Sequence, residues 1–517
     1  MKSIKYQQFI RVLLILAILI VINFISVRLF FRVDLTKNNV YTLSDASKSL
    51  VGSLDDRLTV KAYFTDDLPA PYNNNRRMVL DMLNDYRAYA NGNLYFEFIS
   101  PEGDKGEKEA QAEGIPPVQV QVVKEDKMEV KRAYLGLVLM YEDKKEVLPV
   151  IKNLGSLEYD ISSAIKRLTI KEKPTIGYTT GHGEEEFSSY KSAYKALSQQ
   201  YNIVPVDLTK DQPVPANIST LLVIGPNKQF TDTAKFELDQ YIMRGGKAAF
   251  LLNEMNANLQ SQYHYATAQK TGLEDMLADY GVHINNDLVR DAQCANILVT
   301  QQQGPFQFQS QVPFPYFPNA SNFDKKNLIV KDLQSVIFEF ASSLDTTNTV
   351  AKGLKADIIV RSSKKSGRQS GFIMLNPTQD YPSKDFNESG IPIAAVVSGS
   401  FKSFFTGKQL APTHQKSPDT RIVVVGDGDF MKDDFARNDG NLIFFQNIVD
   451  YLSDDAGLIT IRSKNVTEPP LDQISDGMKK FLKYGDLIAP PLLVILYGLL
   501  RWRRRTSFKK SIESQIA

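Results

Sequence analysis

Two short stretches of this chain hold side chains whose types and spacing could do chemistry. In "GYTTGHGEEEFSS", Gly177 to Ser189, a glycine-flanked His182 is followed by Glu184, Glu185 and Glu186. In "RIVVVGDGDF", Arg421 to Phe430, Asp427 and Asp429 alternate with Gly426 and Gly428 behind an apolar run. A single well-placed histidine beside a carboxylate suffices for general acid–base work. Two aspartates past a buried strand resemble the oxygen donors of metal or phosphate sites. Zinc would need three or four ligands. His264, His283 and His414 each stand alone, and no HExxH or HxH spacing occurs. The competing reading is structural. Gly181 and Gly183 would make a tight turn, and the glutamates would fill the first turn of a helix from Glu185 to Gln200, complementing its dipole. Asp and Gly supply ordinary turns in the second stretch as well. His182, Glu184, Asp427 and Asp429 are the candidate ligand or partner contacts, with no catalytic role, metal or cofactor assigned to them.

The usual engines of catalysis are missing from the sequence. The turn after Leu252 reads "NEMNAN", without a Ser or Cys for a nucleophile elbow. The lone cysteine, Cys294, has no adjacent histidine and reads as inert. There is no GxxxxGK[ST] and no GxGxxG behind a strand, so the chain is not expected to hydrolyse ATP by itself. A net charge of +2 gives no global field for nucleic acid.

The elements that would position these residues follow from periodicity. Strands at Thr175–Thr179, Ile203–Asp207, Thr220–Gly225 and Lys247–Leu252 alternate with helices at Glu185–Gln200, Thr231–Arg244 and near Leu273–Tyr280. That rhythm predicts a doubly wound α/β domain over 173–455, of flavodoxin or amidotransferase type, with His182 at the carboxyl end of its first strand. Between about 290 and 420 the pattern loosens. "TQQQGPFQFQSQVPFPYFPNAS", Thr300 to Ser321, reads as an extended, proline-punctuated insertion. Its aromatics from Phe306 to Phe317 suit either a partner or membrane contact or local packing. "KADIIVRSS" and "IPIAAVVSG" are further candidate strands. "RIVVVGDGDF" with the helix "LIFFQNIVDYLS" is expected to close the sheet. Before all this, 34–170 reads as a smaller α/β domain. It has a capped helix after Ser44, a β-α-β unit from Arg57 to Ser100, a charged loop from Glu102 to Glu113, three strands and a helix at Leu157–Leu168.

The ends imply a membrane. Val12 to Val27 is free of charge and extends through Phe31, which reads as an uncleaved anchor at 12–31 behind a basic segment, 1–11, placed in the cytoplasm. "LIAPPLLVILYGLL" followed by "RWRRR" predicts a second span at 481–502, a linker at 456–480 before it and a basic cytoplasmic tail at 503–517. The bulk would then lie on the periplasmic side.

The N-terminal anchor followed by "DLTKNNVYTLSDASKSLV" resembles the start of the auxiliary subunits of a class of bacterial ABC transporters. "YTTGHGE", "FTDTAKFELDQYIMRGGKAAFLLN", "VVVGDGDFMKDD" and "NLIFFQNIVDYLSDDAGLITIRSK" match in the same order. Within that class the chain is similar to the GldG family, the gliding-motility-associated, substrate-binding-type auxiliary proteins of Bacteroidetes. The resemblance covers essentially the whole chain and brings no catalytic residues. It implies a two-pass inner-membrane subunit acting with a separate ABC ATPase and a separate multi-span permease. It also implies an envelope or motility-machinery partner. Two other readings stay open on the residues alone: a membrane-tethered periplasmic hydrolase or transferase using His182 and Glu184, and a scaffold that binds no ligand. Convergence of Gly181–Glu184 with Asp427–Asp429 at one concave edge would favour a ligand site. Filling of that edge by neighbouring side chains would count against it.

Overall fold

The computed structural model describes residues 42–516, except 67, 69–71, 125–126, 152–153, 260–263, 304–305, 332, 434–438, 454–455 and 463–475. The expected anchor at 12–31 lies outside the described residues. In chain order the first elements are α1 (Asp45–Gly52), β1 (Leu58–Phe64), α2 (Asn73–Tyr89), β2 (Leu94–Ile99), α3 (Gly103–Ala112), β3 (Val118–Lys124), β4 (Lys127–Ala133), β5 (Leu135–Tyr141), β6 (Lys144–Leu148) and α4 (Leu157–Thr169). The sheet order is β2-β1-β5-β6, with β1 and β2 parallel as a β-α-β unit requires. Ser44 caps α1, its side chain accepting from the N–H of Ser47. The segment expected as a charged loop, Glu102 to Glu113, is instead the helix α3. A short polar helix depends on tertiary contacts, and here Ala110 packs against Tyr63, Ile115, Tyr134 and Val138 while Gln111 donates to the Tyr134 hydroxyl, which donates to Glu107.

The chain continues through β7 (Thr175–Thr180), α5 (Lys191–Ser198), β8 (Asn202–Asp207), β9 (Ile218–Ile224), α6 (Asp232–Met243), β10 (Lys247–Leu251), β11 (Met255–Ala257), β12 (Tyr265–Ala268), α7 (Glu274–Asp279), β13 (His283–Ile284) and β14 (Asp287–Asp291). Then come β15 (Cys294–Gln303), β16 (Phe306–Ala320), β17 (Asn322–Phe323), β18 (Val336–Ile337), β19 (Leu344–Asp345), β20 (Lys355–Arg361), β21 (Ser366–Ser370), β22 (Ile373–Met374), β23 (Pro392–Gly399) and β24 (Thr420–Val425). The helices α8 (Asp439–Leu452), α9 (Ala456–Arg462) and α10 (Asp476–Ile516) end the described chain.

The large sheet runs β8-β7-β9-β10-β24-β23-β20-β17. Its first five strands are parallel and, counted along the chain, stand in the order 2-1-3-4-5. Strict alternation sorts their side chains. Leu222, Ile224, Ala249, Leu251, Val423 and Val425 face one layer with α5 and α8. Leu221, Val223, Ala248, Phe250, Ile422 and Val424 face the other with α6 and α7. The strand Thr420–Val425 does not close the sheet. It sits inside it, because β23 and β20, from the region read as loose, add antiparallel beyond it. The proline-punctuated stretch is extended as expected, but as one arm of a long β15–β16 hairpin.

Part of the expected linker is also ordered. α9 packs on α1, α4 and α8. At its end Arg462 is buried, its guanidinium pairing with Asp450 at 2.7 Å and donating to Asn447 at 2.6 Å and to the Tyr159 hydroxyl at 3.1 Å. The C-terminal unit, described by itself, is the helix α10, in which Lys480–Arg503 is long and apolar enough to cross a bilayer by length and composition. The expected span, 481–502, falls within it.

Arg462 links α4 to α8, so its removal has a defined outcome. Arg462→Met leaves Asp450 buried without its cation, at a cost of about 3–5 kcal/mol. The double change with Asp450→Leu should recover most of that. Urea unfolding followed by far-UV circular dichroism measures both, and equal stability of the single variant and the parent would show that the pair contributes nothing.

Candidate functional site

In an open parallel sheet, ligands bind outside the carboxyl ends of the strands, where the strand order reverses. Here that point lies between β7 and β9, since β8 flanks β7 on the other side. His182 and Glu184 follow β7, Asn227 follows β9, Asn253 follows β10 and Asp427 follows β24. All four loops therefore leave the same edge of the sheet, and the two candidate stretches are brought to it as the topology demands.

The chain itself fills that edge. Gly181 and Gly183 both take positive φ, at 104° and 82°, and so turn His182 inward. Its ring is 3% exposed and stacks on Phe230 with centroids 3.8 Å apart. Its carbonyl accepts the N–H groups of Asn227 at 3.0 Å and Lys228 at 2.9 Å, which stitches the β7 loop to the β9 loop across the crevice. The fit is close enough that a Cβ on Gly183 would fall 1.8 Å from the Asn227 Oδ1. Burial lowers the His182 pKa against the opposing charges of Glu184 and Asp207, so the ring is neutral at pH 7. Its Nδ1 has no hydrogen-bond partner.

The glutamates do not begin a helix. Residues 184–186 are irregular, a short turn follows at Phe187–Ser189, and α5 starts only at Lys191. Glu184 instead folds back, its Oε2 accepting the His182 N–H at 2.6 Å. Glu185 reaches across to Lys432 at 3.0 Å, and Lys432 pairs with Asp429 at 2.8 Å. Burial works against the Lys432 charge, but Asp429 and Glu185 outweigh it and its pKa is raised. The N-terminus of α5 is capped from the other loop, with Asp433 accepting from the N–H groups of Lys191 at 2.8 Å and Ser192 at 3.0 Å. The β7 and β24 loops are thus joined by charge as well as position.

Asp427 is fully buried. Its Oδ1 accepts the N–H groups of Asp429 and Phe430, and its Oδ2 accepts that of Glu339 at 2.6 Å. Burial and then the neighbouring Asp429 push its pKa up, while the three N–H donors oppose them. Asn253 completes the turn, donating to Asp429 at 2.8 Å and accepting from the Gly428 N–H at 2.7 Å. Asp427 and Asp429 are occupied with backbone, amide and ammonium partners. Among the described residues no group of three His, Cys, Asp or Glu side chains gathers as a metal set. Cys294, half-buried, has its thiol pushed up to about 11 by burial and Asp291.

The sequence reading missed Asn253, Lys432 and Asp433, whose partners lie far along the chain. It also missed Glu254. This residue directly follows Asn253 at the same edge, is 1% exposed, and neither carboxyl oxygen has a hydrogen-bond partner. Other buried acids are provided for: Asp239 accepts from Tyr280, Ser403, Gln240 and the Phe404 N–H, and Asp287 from Ser343. Burial and then Glu274 push the Glu254 pKa from 4.5 up to about 8. An acid set immediately after a buried strand was the only signal in the sequence.

The comparisons with known proteins bear on this architecture. Residues 173–454 match a family described as an ABC-type uncharacterized transport system, and the chain belongs to that family. Residues 37–140 match a domain of unknown function. An uncharacterized protein of Borreliella burgdorferi is 24% identical over 494 residues, covering 92% of this chain and 93% of its own length. Among solved structures, the mmIFT52 N-terminal domain aligns at 15% identity and TM-score 0.33 over 54% of this chain and 97% of that domain. An exo-β-1,4-mannosidase from an Opitutaceae bacterium aligns at 12% identity and TM-score 0.24 over 78% of this chain and 50% of that enzyme. At those scores neither likeness defines a fold or an activity. The family marks a transporter-associated accessory protein, and the C-terminal apolar helix suggests membrane association.

Glu254 makes a pH-dependent prediction. Its folded pKa lies above its ordinary value, so its contribution to stability is complete below pH 4.5 and declines as pH rises towards about 8. Glu254→Gln removes the decline. The variant should match the parent at pH 4.5 and exceed it increasingly up to pH 8, by at most about 1.4 kcal/mol per pH unit. Urea midpoints at pH 5 and pH 8 test this, and parallel profiles would show that Glu254 is already ionised in the fold.

Proposed function

We propose that this chain is a non-catalytic auxiliary subunit of an ABC transporter, held in the inner membrane with its bulk on the periplasmic side. In this reading it works with a separate ATPase and a separate multi-span permease. The observation that carries it is family membership over the α/β body, residues 173–454. Lys480–Arg503 supports a membrane anchor at the C-terminal end, and the basic run behind it favours a cytoplasmic tail. The 2-1-3-4-5 order of the parallel strands supports a flavodoxin-type sheet for the larger of two outer domains, 34–170 and 173–455. We assign His182, Glu184, Asp427 and Asp429 to holding that edge closed, so that the body serves as a rigid docking element. The association with gliding motility and its envelope machinery rests on the resemblance of the sequence segments.

A tethered hydrolase or transferase is favoured by one observation: the buried Nδ1 of His182 and the buried Oε1 of Glu184 each lack a hydrogen-bond partner. One pair of experiments separates the two. Purification from native membranes in mild detergent should recover an ATPase and a multi-span permease in fixed ratio with the chain. His182→Phe keeps the stack on Phe230 and removes both ring nitrogens. It should leave that complex intact, with the stability of the chain lowered by no more than the roughly 1–3 kcal/mol that a larger ring costs in a packed site. A chain recovered alone, with a hydrolytic activity that His182→Phe abolishes, would replace the subunit by the enzyme.

A further inference from the structure

The helix α10, described by itself, holds two adjacent prolines, Pro490 and Pro491, within Lys480–Arg503, the stretch able to cross a bilayer. In the first turn of a helix a proline costs little, because the N–H it lacks would have had no partner there. α10 begins at Asp476, well before the prolines, so both are interior. Each lacks the N–H that would serve the carbonyl four residues earlier. Pro490 leaves the carbonyl of Asp486 without that donor, and Pro491 leaves the carbonyl of Leu487 without it. At Leu487 the loss is complete, since the residues three and four places on are both proline.

With Lys480–Arg503 across the bilayer, the Leu487 carbonyl lies about 10 Å along the helix from Lys480, at about 1.5 Å per residue, inside the apolar layer. A carbonyl left unmet in hydrocarbon is strongly disfavoured, so its donor has to come from outside the helix backbone. Lys483, Asp486, Pro490 and Tyr497 follow one another at spacings of three, four and seven, which sets them along one face. The opposite face, from Ile488 through Leu492 and Ile495 to Leu499, is apolar. Within one turn of the two carbonyls α10 offers only Lys483 and Tyr484 as side-chain donors. The Cα–Cβ bonds of a helix tilt towards its N-terminus, so both side chains lead away from those carbonyls. None of the apolar stretch is buried among the described residues.

We propose that this face of α10 docks against a membrane-spanning helix of a partner subunit. That helix places a Lys, Arg, Asn or Gln side chain at the level of Leu487, where it donates to the two carbonyls and to the Asp486 carboxylate. The choice of occupant follows from the surplus of acceptors and from their depth. Lipid tails carry no donor, and a soluble protein does not reach this level. A second copy, running parallel about a two-fold axis, would set Asp486 against Asp486 and carbonyls against carbonyls. The chain's own apolar stretch, 12–31, has no hydrogen-bonding side chain from Val12 to Ile22 and so does not match a polar face that runs on to Tyr497. Polar groups of a membrane helix face other protein, and an acid among them marks where that protein lies. The proposal rests on the transporter-subunit reading and adds to it the place and the chemistry of the contact.

The test uses the full chain in native membranes. A photo-crosslinking residue replaces Leu487 or Val494 on the polar face, or Leu492 or Leu499 on the opposite face. The first pair should crosslink to one multi-span protein and the second pair should not. Peptide mass spectrometry should map the crosslink beside a Lys, Arg, Asn or Gln within an apolar stretch of that protein. Pro490→Ala with Pro491→Ala returns both N–H groups to the helix and favours helix formation, so the chain itself is not put at risk. That double change, and separately Asp486→Leu, should each lower recovery of the partner in mild detergent roughly three- to tenfold, the size of a hydrogen bond between membrane helices. The amount of the chain in the membrane should stay unchanged. Equal recovery with both variants, or equal crosslinking from both faces, would overturn docking at this face and leave the subunit reading standing. A crosslink to residues of this same chain would overturn the choice of partner. Recovery of the parent chain with no multi-span protein would overturn the subunit reading, and this proposal with it.

Discussion

The parallel ladder of β7, β9, β10 and β24 is the constraint on which the rest of the molecule depends. The strands β9, β10 and β24 are buried on both faces, so their residues are largely apolar, and each parallel pair must be joined by a crossover. The crossovers place α5 and α8 on one face and α6 and α7 on the other. The link from β10 to β24 is different, because it contains every strand from β11 to β23. Part of that link returns to extend the sheet as β20 and β23, which is why a region with weak local pattern still belongs to the main core. Parallel pairing also fixes where chemistry could occur. Every carboxyl end falls on one edge, and every candidate residue falls there with it.

At that edge the chain answers its own polar groups. Hydrogen bonds to charged groups contribute more than neutral ones, on the order of 1.5–3 kcal/mol each. Asp427 accepts three N–H groups, Asp429 takes Asn253 and Lys432, and Asp433 caps a helix from the opposite loop. These bonds link residues far apart in sequence, so they stabilise the relative placement of the loops more than any single turn. Glu254 stands outside the network. A buried carboxyl without a partner keeps its proton, so Glu254, like Asp427, is a group at this edge whose cost to the fold rises with pH.

Much of this was legible in the sequence because it depends on local period. The buried strands, the capped helix α6 with Thr231 at its start, and the β-α-β unit near the N-terminus are all readable from apolar spacing and turn residues. The location of His182 and Asp427 at strand ends was readable for the same reason. What was not legible is long-range. A run of three glutamates after a glycine looks like a helix start, but Lys432 draws Glu185 away and Asp433 supplies the cap that those glutamates would have supplied. The helix α3 was hidden by its polarity, since a single buried alanine leaves no amphipathic stripe. The hairpin was hidden by its prolines, which read as punctuation although in β16 they lie along a paired strand.

The buried Arg462 determines how force could pass through such a body. Its guanidinium meets Asp450 and Asn447 on α8, which packs on the large sheet, and Tyr159 on α4, which packs on the small one. Asp450 is held in turn by the Tyr201 hydroxyl at 2.7 Å. A hinge between α4 and α8 would break the Arg462–Tyr159 hydrogen bond, on the order of 1.5–3 kcal/mol, and leave the Arg462–Asp450 pair closed. Arg462 and the packing of α9 on both helices together tie α4 to α8. In the proposed setting, an element so stiffened transmits movement to a partner where a hinged one would absorb it.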